Sequence, residues 1–419
     1  MKLSTIEQEP IKSLSFMERY VNDGSPSGFS FTHTSSPKTE PRGLTSGFPL
    51  LEVLPKSNVV VHNLGSLPLS LFSAKSQNES ILIHPDMKND VNLHFLCGET
   101  AKQTDFLVQP TASPRTLELI NNASRGYVKL HYENHLGRIK RRLTLKHAQS
   151  ALENTKILDY LISNNLMPES FSYYPETGAR VYESVNQGEI VYWGMVWRQF
   201  EIRGNKSDQI AYQIPGFSLF SRDMLNPTDP IILSQIGDIH GDQKIEFLIN
   251  SMLLPLIKIY FEMLLNGGLQ GEWHAQNVVF GFDKNWNCIS IALRDMESVD
   301  RDFEFIGNTH HNIKIESFPY KCHGQDKNYA IRHSFMFDYK FGEYLLAPLI
   351  DCAGNCWKIN TTKIDQVIKD FVMEQMKSLP NDFFPKDGCW YSFAKQLIDQ
   401  SLPERPYVCH PNPRFRKSQ

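Results

Sequence analysis

The sequence has little that would tie it to a membrane, to nucleic acid or to an oxidising compartment. No uninterrupted apolar run approaches a membrane span, because Lys258 and Glu262 break the best candidate. The opening ten residues, MKLSTIEQEP, lack the apolar stretch of a signal peptide. Neither sign of charge dominates: 43 basic residues stand against 46 acidic ones, a net charge of −3, so no basic excess argues for nucleic acid or an anionic bilayer. Seven cysteines are scattered, and although Cys352 and Cys356 are close, no second pair stands at zinc spacing. The expectation is a reduced, cytoplasmic chain with free thiols. A Gly-rich phosphate loop and an internal repeat are also missing.

What is there is an ordinary globular composition, 41% hydrophobic and 21% charged over 419 residues, enough for two to three structural units. Residues 22–49 are rich in Gly, Ser, Pro and Thr and read as loop or linker. Strand-like pieces follow at 58–62, 80–84, 105–108, 127–132, 188–193 and 210–214, with a helical pattern at 144–164. Helices dominate from about Gln243 onward. The fold class is α+β, with a shortened N-terminal or linker region at 1–50, a β-rich unit at 51–215 and a mainly helical unit at 216–419.

The most informative stretch is Gly271 to Asn277, GEWHAQN. It follows a helical run from Lys244 to Leu265, kinked or split at Pro255 and stopped at Gly267 and Gly268. It precedes a hairpin, with strands at 278–280 and 289–293 around a turn at 283–286, which ends in Arg294-Asp295-Met296-Glu297. His274, Asn277 and Asp295 thus collect at the mouth of one hairpin. Asn and Asp oxygens suit a hard cation such as Mg²⁺, while His and Arg suit phosphate oxygens. Any one of these residues alone reads as a satisfied polar side chain; the set does not.

A second cluster lies in the β-rich unit. Thr111 to Thr116, TASPRT, precedes a helical pattern at 117–120, with Ser113 as N-cap and Pro114 at the first helical position. Hydroxyls, backbone N–H groups and Arg115 at a helix start would make an anion site. Lys129 follows on a strand, and Arg141 twelve residues later, within a basic run whose Arg138 and Lys140 read as a solvated face.

In order and spacing these motifs resemble those of the siderophore synthetases that work without a nonribosomal peptide synthetase, the IucA/IucC or aerobactin-synthetase type. Ser113, Arg115 and Thr116 match that family's loop, and Lys129 and Arg141 its strand Lys and following Arg. Glu272, His274, Gln276 and Asn277 match its Glu-x-His-x-Gln-Asn. Arg294, Asp295 and Glu297 match its Arg-Asp-Phe-Glu, with Met296 in place of the aromatic. The resemblance covers roughly residues 80 to 419. It implies a hand-like thumb, fingers and palm architecture, with a β-rich fingers half and a distantly kinase-like, mostly helical palm. It implies Mg-ATP bound between fingers and palm, adenylation of a carboxylate such as citrate, and displacement of AMP by an amine, hydroxylamine or alcohol. Ser113, Arg115, Thr116, Lys129 and Arg141 would hold the phosphates, with Lys129, Arg141 and His274 catalytic. His274 and Gln276 would contact the nucleotide, and Asn277, Asp295 and Glu297 would hold Mg²⁺. A homodimer is also expected, since family members are often dimers.

The sequence departs from the family in places. Family members are usually longer at the N-terminus. An early His-Pro motif survives only as an echo in Gly24 to Pro26, His33 to Pro37, Lys38, Arg42 and Gly43. His84-Pro85-Asp86-Met87 replaces His-Pro-Trp-Gln, and Gln400-Ser401-Leu402 replaces an Arg-Leu pair, while Pro411 to Pro413 resembles the family's closing Asn-Pro. The nucleotide half thus reads as intact and the acid-binding half as altered. Two alternatives remain: a non-catalytic ATP-binding homologue and a kinase-like phosphotransferase. Elsewhere the plain readings hold. Cys352 and Cys356 are buried thiols, His310 and His311 a surface pair, Trp193 and Trp197 core residues, and Phe383 and Phe384 a packed turn.

Overall fold

A computed structural model describes residues 1–23, 39–43, 46–73, 78–98, 101–136, 139–301, 329–391 and 407–417. The expectations at Gly24 to Pro26, His33 to Lys38, His310, His311 and Gln400 to Leu402 lie outside these residues.

The first region is not simply linker. It opens with α1 (Leu3–Gln8) and α2 (Pro10–Tyr20), the latter starting on a proline whose missing N–H costs nothing there. Leu3, Ile6, Met17 and Val21 join the main core.

An eight-stranded antiparallel sheet follows. Its strands are β1 (Phe48–Val53), β2 (Val60–Gly65), β3 (Ile81–Ile83), β4 (Lys102–Pro110), β5 (Thr116–Leu119) and β6 (Gly126–Leu130). A small hairpin of β7 (Tyr132–Leu136) and β8 (Ile139–Arg141) and a short β9 (Phe171–Tyr173) come before β10 (Glu176–Asn186) and β11 (Glu189–Gln199), which complete the sheet. Its order is β2-β10-β11-β6-β5-β4-β1-β3. Alternation along β10 and β11 divides two cores. Ala179, Val181 and Val196 face one core, while Tyr182, Trp193, Met195 and Trp197 face the other. The second core is covered by α3 (Val91–Leu96). The first is covered by α4 (Leu145–Ser163), fixed at its start by a reciprocal capping box between Thr144 and His147.

The segment after Ser113 is a correction. Residues 116–119 form a strand, not a helix, so Ser113 caps nothing and no helix dipole reaches this loop. Four residues are too few to nucleate a helix, whereas all four are buried and find partners in β4 and β6.

A second sheet holds β12 (Arg203–Gly204) and β13 (Tyr212–Pro215), and, after the pairing strand β14 (Leu269–Gln270), the hairpin β15 (Val278–Phe282) and β16 (Cys288–Leu293). Its order is β12-β9-β16-β15-β13, and only β9 and β16 run parallel. β14 pairs with β17 (Asp300–Arg301).

Between β13 and β14 lie α5 (Gly216–Phe220) and the continuous helical run α6 (Ile232–Gly267). By length and composition α6 could cross a membrane, so Lys258 and Glu262 do not interrupt it as the sequence reading held. It is a core helix: Leu248, Met252, Leu256, Ile259, Phe261, Met263 and Leu264 are all inaccessible. The expected break at Pro255 takes the form of a π turn, Leu248–Leu253, with Pro255 in the first turn of the α segment that follows. Gly268, at φ +58°, ends the helix.

The C-terminal part is α7 (Tyr329–Ser334), a long π segment (Phe335–Leu346), α8 (Ala347–Trp357) and α9 (Thr362–Met376), closed by the hairpin β18 (Gly388–Tyr391) and β19 (Tyr407–His410). The fully buried Arg416 is held by Asp338 at 2.8 Å. Cys352 and Cys356 are free thiols 3.8 Å apart, and Phe383 and Phe384 pack in the core. The architecture is mixed α+β, as the sequence indicated.

Candidate functional site: a cationic cleft between sheet and hairpin

The loop between β4 and β5, the strand β6 and the end of β8 face the approach to β15 and the exit of β16 across a polar cleft that opens to solvent. Ser113, Arg115, Thr116, Lys129, Arg141, His274, Gln276, Asn277 and Asp295 all line it. Glu297 does not line the cleft but stands behind Lys129.

Each wall is fixed locally. In the loop, Thr111 Oγ1 donates to the Thr116 carbonyl at 2.9 Å, and the Thr111 N–H donates to the same oxygen at 3.0 Å. The Ser113 N–H donates to Thr111 Oγ1 at 3.2 Å. The loop is thus a closed side-chain turn rather than a helix start. Arg115 lies along it and donates to the Arg141 carbonyl at 3.1 Å, which couples the loop to β8.

Across the cleft, the Asn277 N–H donates to the His274 carbonyl at 2.9 Å, and the Asn277 amide donates to the Glu272 carbonyl at 3.2 Å. This leaves Asn277 Oδ1 as the atom for a ligand. Asp295 sits at φ +74°, ψ +60°, a left-handed conformation that Asp tolerates better than most residues. The turn is held by Ser298, whose N–H and hydroxyl both donate to the Asp295 carbonyl.

The charges interlock. Lys129 Nζ contacts Asp295 Oδ1 and lies 2.6 Å from Glu297 Oε2. Burial disfavours the Lys129 charge, yet Asp295, Glu297 and Glu176 together raise its pKa. For Asp295 burial acts upward, and Lys129 and Arg198 outweigh it and hold the carboxyl ionised. His274 is driven toward its neutral form by burial, against the pull of Glu272. Among the described residues its buried Nδ1 has no hydrogen-bond partner. Burial and the neighbouring Arg115 also lower the pKa of Arg141, so two guanidinium groups converge where an anion would relieve them. Arg115, Lys129, Arg141, Arg198 and Arg294 against Glu272 and Asp295 give the lining a cationic excess suited to a polyphosphate.

Arg294 lines the cleft, but its guanidinium is engaged by the protein: Nε donates to the Gln276 carbonyl at 2.7 Å and both Nη atoms reach Glu18 of α2. It braces the hairpin.

Three residues escaped the sequence reading. Arg198 holds Glu176 at 2.7 Å and Asp295 at 3.4 Å. Lys340 lies 3.7 Å from Glu272. Glu18 is buried against Arg294. The available signal for Glu18 was an acid four residues from Leu14, on the apolar stripe of a helix. For Arg198 it was a cation directly after the buried strand residues Val196 and Trp197.

Asn277 and Asp295 offer oxygen donors on one side of the cleft, and the Lys129 ammonium already occupies a cation position beside Asp295 and Glu297. Among the described residues no three His, Cys, Asp or Glu side chains gather as a metal cage. One or two protein oxygens completed by phosphate is the usual arrangement for Mg²⁺, and the donors present fit it.

No protein-family model and no curated protein matches the sequence. Solved structures do match in fold. The petrobactin biosynthesis protein AsbB of Bacillus anthracis str. Sterne superposes with a TM-score of 0.67 at 14% identity, over 89% of this chain and 69% of its own. The ATP-bound aerobactin synthetase IucA from a hypervirulent Klebsiella pneumoniae pathotype gives 0.65 at 14% identity, over 99% and 80%. Aerobactin synthetase IucC from the same pathotype gives 0.61 at 14%, over 90% and 72%. The chain has the fold of these siderophore synthetases.

Proposed function

We propose that the protein is an ATP-dependent ligase of siderophore assembly, which adenylates a carboxylate, citrate or a related polycarboxylate, and passes the acyl group to an amine, hydroxylamine or alcohol. The observation that carries this reading is the convergence of Ser113, Arg115, Thr116, Lys129, Arg141, His274, Gln276, Asn277 and Asp295, from distant parts of the chain, on one cationic cleft. An ATP-bound structure among those of like fold supports the nucleotide. On this reading residues 51–215 are the fingers, 216–419 a kinase-like palm, and the cleft lies between them.

A substrate carboxylate oxygen attacks the α-phosphorus, and the bond to pyrophosphate breaks. The nucleophile then attacks the acyl carbon, loses its proton and displaces AMP. Arg115, Lys129 and Arg141 stabilise charge on the phosphate oxygens and on departing pyrophosphate. His274, kept neutral by burial, donates a hydrogen bond without adding a full charge. Asn277 Oδ1 and Asp295 would hold Mg²⁺, which supplies charge neutralisation and orientation of the phosphates. Glu297 stays on Lys129 and fixes its position.

The test is acid-dependent nucleotide turnover with hydroxylamine as trap, over a panel of citrate, succinate, 2-oxoglutarate and related acids. AMP together with a hydroxamate from one acid is the expected result. ADP would move the case to phosphoryl transfer. One observation favours a second reading, a homologue that binds ATP without turnover: Lys129 ties up Asp295, a proposed metal donor, and Glu297 beside it. Nucleotide binding with no AMP from any acid would establish that reading instead.

A further inference from the structure

We propose that Glu18 is a positioning residue for the nucleotide cleft, which sets the Thr111–Thr116 loop at a fixed distance from the Arg294–Asp295 turn. The inference rests on the ATP-binding reading above. Glu18 is 2% exposed and projects from α2, outside both walls. Its two carboxylate oxygens take both Nη atoms of Arg294. Its Oε2 also accepts the Ala112 N–H at 3.1 Å. Ala112 and Arg294 line opposite walls of the cleft, so one carboxylate joins the two.

The rest of Arg294 carries this position to the ligand-facing groups. Its Nε holds the Gln276 carbonyl, and its N–H donates to the Asn277 carbonyl at 2.9 Å. Asp295 is the next residue. The helix does not depend on Glu18 for its own seat. Ser15 Oγ bonds Glu118 of β5, the Tyr20 carbonyl accepts from Met224 N–H at 2.8 Å, and the Val21 carbonyl accepts from Ser218 Oγ at 2.9 Å. The Glu18 contacts are therefore an additional link, made to the two segments that carry the phosphate-facing and metal-facing groups. A buried charge pair acts differently from a surface one, since removing one partner strands the other.

The experiment compares Glu18→Gln with wild type for Mg-ATP affinity by calorimetry, for melting temperature, and for KM and kcat if turnover is found. Glu18→Gln keeps the shape of the side chain but gives up the charge and one acceptor. The expected result is a folded variant with ATP affinity weakened ~10-fold or more. Ser15→Ala, on the same helix but bonded to Glu118 and to neither Ala112 nor Arg294, is expected to keep wild-type affinity. Wild-type affinity in a folded Glu18→Gln overturns the proposal, and so does an equal loss in Ser15→Ala, which would mean general loosening of α2. If Glu18→Gln does not fold, Glu18→Gln with Arg294→Met, which leaves no stranded cation, carries the test. Wild-type affinity in that double variant overturns the proposal, and a ~10-fold loss supports it. Failure of wild type itself to bind Mg-ATP would overturn the ATP reading, a separate outcome.

Discussion

Lys129 is the cation that joins Asp295 to Glu297, with its Nζ 2.6 Å from Glu297 Oε2 and in contact with Asp295 Oδ1. Lys129→Met leaves the half-buried Asp295 and Glu297 without their main partner. The expected cost at neutral pH is ~1–3 kcal/mol of stability, with loss of nucleotide turnover. The pH dependence has a definite sign. In wild type the folded pKa values of Asp295 and Glu297 are lowered, so their contribution is present above the ordinary carboxylate range and lost as pH falls. In the variant the pull of Lys129 is gone, so less stability is lost on acidification. The melting-temperature gap between wild type and Lys129→Met should narrow from pH 7 to pH 4; a constant gap would refute the account.

Asp295→Asn separates fold from chemistry. Asn accepts the left-handed backbone at this position as readily as Asp, so the turn should form. The loss of a charged oxygen donor should abolish Mg-dependent turnover. Circular dichroism and a melt within a few degrees of wild type, together with no AMP formation, is the expected pattern. Activity close to wild type would remove Asp295 from the proposed metal donors.

Arg141→Ala is expected to spare the empty protein and weaken the complex. Arg141 sits beside Arg115, and burial and that like charge depress its pKa, so the unliganded fold gains little from its charge. The apo stability should change by less than ~1 kcal/mol, while the upward shift in melting temperature produced by Mg-ATP should vanish. A full ATP-induced shift in the variant would exclude Arg141 from the phosphate site.

His84 reports on acid stability away from the cleft. It is fully buried, its Nδ1 accepts from the Asp86 N–H, and burial lowers its pKa to about 4, against a smaller opposing pull from Asp86. Unfolded chains protonate this histidine near 6.5, so its stabilising effect is complete above that pH and is lost as pH falls toward 4. The lost contribution is on the order of 3 kcal/mol. His84→Asn keeps an acceptor for Asp86 and does not titrate. Its stability should therefore fall less than that of wild type between pH 6.5 and pH 4, and parallel curves would contradict the assignment.

Much of the cleft was legible in the sequence because its parts are local. GEWHAQN lies between a helix stop and a hairpin whose strands alternate, and that pattern alone placed His274, Asn277 and Asp295 together. The strand at Lys129 was equally plain. The loop at Ser113 was misread because a Ser-Pro pair is a good helix start in isolation. The partners of Leu117 and Leu119 lie in β4 and β6, and that burial decided for a strand. The direction of Arg294 could not be read locally either, since its partner Glu18 is 276 residues away. α1 and α2 went unnoticed because each is short and gains its stability from packing against the main core.

The parallel pairing of β9 with β16 has a mechanical meaning. Tyr173 lies beside Leu293 in the smaller sheet, and the Tyr174 N–H donates to the Leu293 carbonyl at 2.9 Å. Glu176, only three residues after Tyr173, already belongs to the large sheet and grips Arg198. The two walls are therefore pinned to each other at Tyr174 and Pro175, directly beside the turn that carries Asp295. A rotation of one wall against the other would leave this corner almost still, and Glu18, bonded to Ala112 and Arg294, restrains the Thr111–Thr116 loop as well. Admission and release of a ligand would then leave the separation between Asp295 and Arg198 nearly constant through the cycle.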